Sequence, residues 1–165
     1  MVTRRIVVFV VAGVLGIGAG IYFFPSEKKR IRRQFATLSA WAAKEGEESQ
    51  LVIGRKIQQL RSILADSIRV DAPAYDTAGT YNADDIAQRA TIGRSQYSTL
   101  SLRFFDMEIE ILDAYTARVL TTARLTGTSR EGEHIQETHE VDCTLQKLEG
   151  TWVFTACEVV DVLQK

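Results

Sequence analysis

Histidine and cysteine are scarce in this chain, with two of each among 165 residues. His134, His139, Cys143 and Cys157 do not combine with the acidic residues at metal-ligand spacing, so no metal is expected. No glycine-rich loop follows a strand pattern, which argues against a nucleotide phosphate cradle. No Ser/His/Asp set can be recognised along the chain. No internal repeat or low-complexity tract divides it, and no cofactor is implied. No cysteine follows the apolar N-terminal run, so a bacterial-type lipid anchor has no attachment point there.

What the chain does have is one long apolar stretch. Ile6 to Phe24 (IVVFVVAGVLGIGAGIYFF) contains no charge. At about 1.5 Å per residue a helix of that length reaches roughly 28 Å, close to the roughly 30 Å of bilayer hydrocarbon. A single span in lipid must satisfy its own backbone, which leaves a helix as the form to expect. Tyr22, Phe23 and Phe24 stand where an interfacial aromatic belt would, and Pro25 closes the run. The rival is a cleaved signal peptide with Gly18 and Gly20 near the cut, but the run exceeds an ordinary signal core. The expected organisation is a tail over 1–5, a transmembrane helix over 6–24, a basic segment over 25–33 and one domain over 34–165. Ala12, Gly16 and Gly20 repeat at four-residue spacing, a small-residue face on which helices associate; glycine is also simply frequent in membrane helices.

Charge divides along the same line. Arg4, Arg5, Lys28, Lys29, Arg30, Arg32 and Arg33 fall in the first 33 positions, opposed only by Glu27; the remainder holds 13 basic and 20 acidic residues, net −7. An acidic domain is a poor partner for nucleic acid, and none is expected. Lys28, Lys29, Arg30, Arg32 and Arg33 suit anionic headgroups. The flanks disagree on topology. The more basic C-terminal flank favours a cytoplasmic domain, whereas Arg4 and Arg5 ahead of the first span read as an ordinary signal anchor. The expectation leans to an extracytoplasmic domain on a single-pass cell-membrane protein.

Periodicity organises the rest. Ile31, Phe35, Leu38 and Ala42 make the stripe of a helix over Glu27–Ala43. Gly46 breaks it, and Ser49 caps a second helix running to about Ala65 with Ile53, Ile57, Leu60 and Leu64 on one face. Ser67–Ala72 alternates as a short strand, and Pro73–Tyr81 reads as irregular. Asn82, with Asp85 three residues on, caps a third helix over Ala83–Ser98. Strands follow: one with Phe105, Met107, Ile109 and Ile111 on one face, then Tyr115–Leu125, Ile135–Leu145 and Trp152–Leu163. Gly127–Gly132 is a link and Glu149-Gly150 a hairpin turn. Helices followed by an antiparallel meander make an α+β domain. A two-residue turn at Glu149-Gly150 sets Cys143 opposite Ala156, with the cysteines on different faces. A three-residue loop sets them diagonally on one face. Neither puts them directly opposite, so a disulfide is the lesser reading.

The element order, with CTLQKLEGTWVFTACEVV closing the sheet, resembles the nuclear transport factor 2-like superfamily, which also holds ketosteroid isomerase and the SnoaL-like cyclases. The resemblance spans Ile31 to Leu163. It implies a cone: about three helices packed on a curved antiparallel sheet around a pocket. Members include enzymes, ligand binders and protein-binding modules, so the fold leaves function open. It also implies pairing through the outer sheet face, hence a homodimer or larger membrane complex. The isomerase pattern places a tyrosine on the first helix, and this chain has none between Glu27 and Ala65.

One constellation has chemistry. With the turn at Glu149-Gly150, His139 lies diagonal to Glu158, beside Trp152 and Phe154. Such a pair is a weak candidate for general acid and base, since burial and a partner charge tune an imidazole. The plainer reading is an ion pair at the open end of the sheet. Tyr75 and Tyr81 complete the expected pocket lining. The leading expectation is a membrane-anchored, non-enzymatic module binding a protein partner or a small apolar ligand. The alternative is an acid–base enzyme of isomerase, cyclase or dehydratase type using His139 and Glu158.

Overall fold

The computed structural model describes residues 27–73 and 77–160. Helix α1 covers 27–42. Its stripe is buried as periodicity requires: Ile31, Phe35, Trp41 and Ala42 are all inside. The order then runs β1 (Lys44–Glu45), α2 (Gln50–Arg61), β2 (Leu64–Ala72), β3 (Thr77–Asn82), α3 (Ala83–Ser95), β4 (Tyr97–Ile111), β5 (Thr116–Ser129), β6 (His134–Leu148) and β7 (Thr151–Val160). Among the described residues, three helices therefore accompany a seven-stranded sheet of order β1-β4-β5-β6-β7-β2-β3. No helix of the described residues is long and apolar enough to cross a membrane; the apolar run over 6–24 lies outside them.

Local chemistry sets the helix starts. Ser49 caps α2, its side chain accepting from the Val52 amide. Asn82 caps α3 by accepting from the Asp85 amide at 2.8 Å and donating to the Asp85 carboxylate at 2.9 Å. Both helices end sooner than periodicity suggests. Leu64 and Ala65 pass into β2, and Ser98 lies in β4.

The sheet is larger than expected and mixed. The segment read as irregular contains β3, antiparallel to β2 with Ile68 opposite Tyr81 and Val70 opposite Gly79. β2 runs parallel to β7, a pairing reached only after the chain has passed through β3, α3 and β4–β6. Gly127, expected in a link, is a strand residue opposite Leu100. A Cβ there would sit 2.5 Å from the Thr99 carbonyl oxygen, so glycine is what lets β5 cross β4 so closely.

Two bulges decide which residues face the helices. In β4, Phe105 pairs with Thr122 but Glu108 with Leu120, so Asp106 and Met107 together oppose Thr121. Asp106 takes a positive φ of 50°, and the buried Thr121 hydroxyl donates to the Phe105 carbonyl at 2.8 Å. Phe104, Met107 and Ile109 consequently point inward. Phe105, expected to share their face, points outward with Arg124 stacked on its ring at 4.9 Å. In β7, Leu145 pairs with Phe154 but Thr144 with Ala156, which leaves Thr155 as the extra residue. The turn between β6 and β7 is the expected two-residue one, with Glu149 and Gly150 both at positive φ.

The core lies between the inner sheet face and α1. Phe35 meets Phe104 edge-on at 5.0 Å and Phe154 at 4.9 Å, with Trp152, Leu145, Val119 and Ala117 fully buried around them.

Candidate functional site

The β7 bulge redistributes the expected site residues. After Thr155 the alternation inverts, so Glu158 pairs with Asp142 on the outer face. His139 stays on the inner face, in register with Ala123 and Phe104. The expected His139–Glu158 pair is therefore split by the sheet. The carboxylate beside His139 is Glu137, two residues away on the same face, with Nε2 to Oε2 at 3.7 Å and both side chains part-exposed. Trp152 and Phe154 are buried core rather than cavity lining. Tyr81 sits on the edge strand β3, with the Arg89 guanidinium 5.5 Å from its ring centroid. Tyr75, and the small-residue face of Ala12, Gly16 and Gly20, lie outside the described residues.

The same bulge brings the cysteines together. Cys143 stands directly opposite Cys157 across β6 and β7, a register neither simple turn produces. Both are free thiols. Hydrogen bonding to Cys157, then burial, pushes the Cys143 thiol well above its ordinary range.

On the outer face, register sets two rows side by side across four strands. Leu120, Asp142, Glu158 and Asp71 form one; Arg118, Thr144, Ala156 and Arg69 form the other. All of these except Leu120 border a depression of about 230 Å³. Arg118 donates to both Asp142 carboxylate oxygens, and that pairing raises its already high pKa. Three carboxylates bracketed by two guanidinium groups make a surface for polar or charged partners. Among the described residues no His/Cys/Asp/Glu group is arranged to hold a metal ion.

Two further clusters hold α1 at its ends. At the start, Glu27 accepts from the Trp152 indole at 2.6 Å and pairs with Lys147 at 3.1 Å. Burial alone would raise its pKa, but those two partners outweigh it and hold the carboxyl below its ordinary value. At the far end, Arg94 donates to the Ala42 and Ala43 carbonyls at 3.2 and 2.7 Å, where a cation complements the helix C-terminus. Glu48 holds Arg94 in a two-point pair and lies 3.1 Å from Lys56. The Arg94 hydrogen bonds lower Glu48 to about 2, against the burial that would raise it. None of these partners was legible in sequence, because each pair is at least 46 residues apart, save Lys56.

No protein-family model matches the sequence, and no curated protein matches it. Solved structures do match in shape. The Kfla4162 protein from Kribbella flavida superposes with a TM-score of 0.71 at 11% identity, over 86% of this chain and 94% of that one. A hexachlorocyclohexane dehydrochlorinase, LinA Type2, gives 0.63 at 15% identity over 82% and 84%. The association domain of C. elegans CaMKII gives 0.60 at 11% identity over 82% and 95%. At these identities the likeness is one of fold. The chain shares the α+β fold of these structures, helices packed on a large mixed sheet.

Proposed function

We propose that this protein is a membrane-anchored, non-enzymatic binding module, held by residues 6–24 and engaging a protein partner through its cone domain. The observation that carries this reading is the filled inner face. The Phe35 ring meets those of Phe104 and Phe154 edge-on, with centroids 5.0 and 4.9 Å apart. The outer face, by contrast, offers charge in ordered rows, which suits a polar partner surface. The fold is shared with an association domain, in keeping with assembly as a homodimer or within a larger membrane complex. The domain is assigned to the extracytoplasmic side on the signal-anchor pattern of Arg4 and Arg5. The glycine face of Ala12, Gly16 and Gly20 supplies a second contact, within the bilayer. Gly16→Ile is expected to reduce association of the full chain in a membrane two-hybrid assay.

A second reading keeps a small apolar ligand, bound on the inner face of β4–β6 near Leu102, Leu125 and His139. Its enzymatic form would use His139 with Glu137 in place of Glu158, and the shared fold with a dehydrochlorinase favours keeping it in view. Native mass spectrometry of the full chain, released gently from membranes, separates the two. A dimer or partner complex free of small-molecule mass supports the module. A retained small molecule, lost on His139→Ala, would replace it with the ligand reading.

A further inference from the structure

We propose that the end of the domain at which α1 begins is a bilayer-contacting rim, built from the β4–β5 and β6–β7 turns and the basic first turns of α1. The inference rests on the reading that residues 6–24 span the membrane. Three exposed apolar side chains gather at this end. Leu112 and Tyr115 occupy the β4–β5 turn and are 53% and 67% exposed; Leu148 opens the β6–β7 turn and is 49% exposed. The two turns adjoin, since the Lys147 amide donates to the Tyr115 carbonyl at 2.8 Å. Glu27 is fixed to the same place by Trp152 and Lys147.

Reach then limits where the rim can go. From Phe24 to Glu27 the chain is three residues on, and at about 3.6 Å each it spans at most about 11 Å. An anchored chain therefore keeps Glu27, and the turns tied to it through Lys147, close to the bilayer surface. The chemistry fits that location. Tyrosine and leucine at a membrane surface bury apolar area while the phenol stays in the headgroups. Lys28, Lys29, Arg30, Arg32 and Arg33 are exposed along the first turns of α1, and Lys147 is beside them. Asp113 and Glu149 oppose them at the turn tips, with Glu27 already paired, so the end carries six cationic groups against three anionic ones. A net positive rim suits anionic lipid.

The test places tryptophan at the rim in the full chain, in vesicles of phosphatidylcholine and phosphatidylglycerol carrying a nitroxide near the acyl carbonyl. Tyr115→Trp and Leu148→Trp probe the two turns independently, at exposed positions that tolerate the change. Ile92→Trp is the control. It is exposed on α3 two residues from Arg94, which touches the far end of α1, about 22 Å along that helix. The buried Trp41 and Trp152 supply the background to subtract. The added fluorescence at 115 and 148 is expected to fall by at least about half, with position 92 nearly unchanged, as interfacial burial of 5–10 Å implies. Equal quenching at all three positions, in a chain that resists carbonate extraction, overturns the rim and leaves the anchor standing. Release by carbonate overturns the anchor and the rim with it.

Discussion

The two faces of the central strands are governed by different forces. The inner face packs Phe104, Ile109, Val119, Cys143 and Phe154 against α1, and shape decides what is tolerated. The outer face carries Arg118, Asp142, Glu158 and Asp71 in water, and charge pairing there is adjustable. The ion pairs repeat the contrast. Arg94 and Glu48 are 7% and 13% exposed, whereas in the outer pair Arg118 is 58% exposed over an Asp142 that is 16% exposed. An interaction on the first side is hard to lose; one on the second is hard to notice.

The largest break should come from Phe35→Ala, which removes the ring between helix and sheet. A loss of about 3–5 kcal/mol is expected, read as a lowered denaturation midpoint of the full chain in detergent. A loss below about 1 kcal/mol would mean that the inner face is not the packed core.

Acid should come next. Glu48 titrates at about 2 when folded against 4.5 ordinarily. The folded state binds this proton less readily, so its contribution is complete above pH 4.5 and is lost as pH falls toward 2. The depression corresponds to about 3 kcal/mol across that window. Glu48→Gln should flatten the pH dependence of stability between these limits. Glu27→Gln should flatten it in the same direction. An unchanged profile in Glu48→Gln would show that Arg94 does not hold this carboxylate.

On the outer face, Arg118→Ala should cost much less than Phe35→Ala, since the Arg118 side chain stands largely in water. A cost equal to that of Phe35→Ala would erase the distinction between the faces.

The smallest expected effect sharpens the comparison most. Mild oxidation with a diazene such as diamide should join Cys143 to Cys157. Each thiol loses its hydrogen, the sulfurs bond, and the diazene is reduced to the hydrazine. Intact mass should fall by two hydrogens, with the two peptides linked after digestion. Antiparallel partners stand about 4.5–5.5 Å apart at Cα, inside the disulfide range. Deleting Thr155 removes the extra residue but leaves Cys143 opposite Cys157, so the link should still form. Failure of the intact chain to form the link would refute the bulge, since without it Cys143 faces Ala156.

Much of the architecture could be read from local pattern. The stripe from Ile31 to Ala42 predicted α1, Ser49 and Asn82 marked their helices, and Glu149-Gly150 marked its turn with the correct length. These features depend on residues within one helical turn or one hairpin, which is the range over which periodicity and capping act. The site was less legible. The pairing of His139 with Glu158 followed correctly from alternation out of a two-residue turn, and failed because Thr155 interrupts the alternation. Phe105 was placed inward by the same logic and turned outward by Asp106. A one-residue slip sends every later side chain to the other face, so one unseen bulge moves a whole set.

By itself the sequence determined an apolar run of spanning length, a basic segment after it, an acidic domain beyond, and the order and type of most elements. Those are sums over neighbours, and composition suffices for them. Only the tertiary structure decided that β2 joins β7 in parallel, that Arg94 reaches the end of α1, that Cys143 meets Cys157, and that Leu112, Tyr115 and Leu148 gather where α1 begins. Each brings together residues distant along the chain or moved by a bulge. Such contacts form only when burial of the shared core repays the entropy of closing the loops between them.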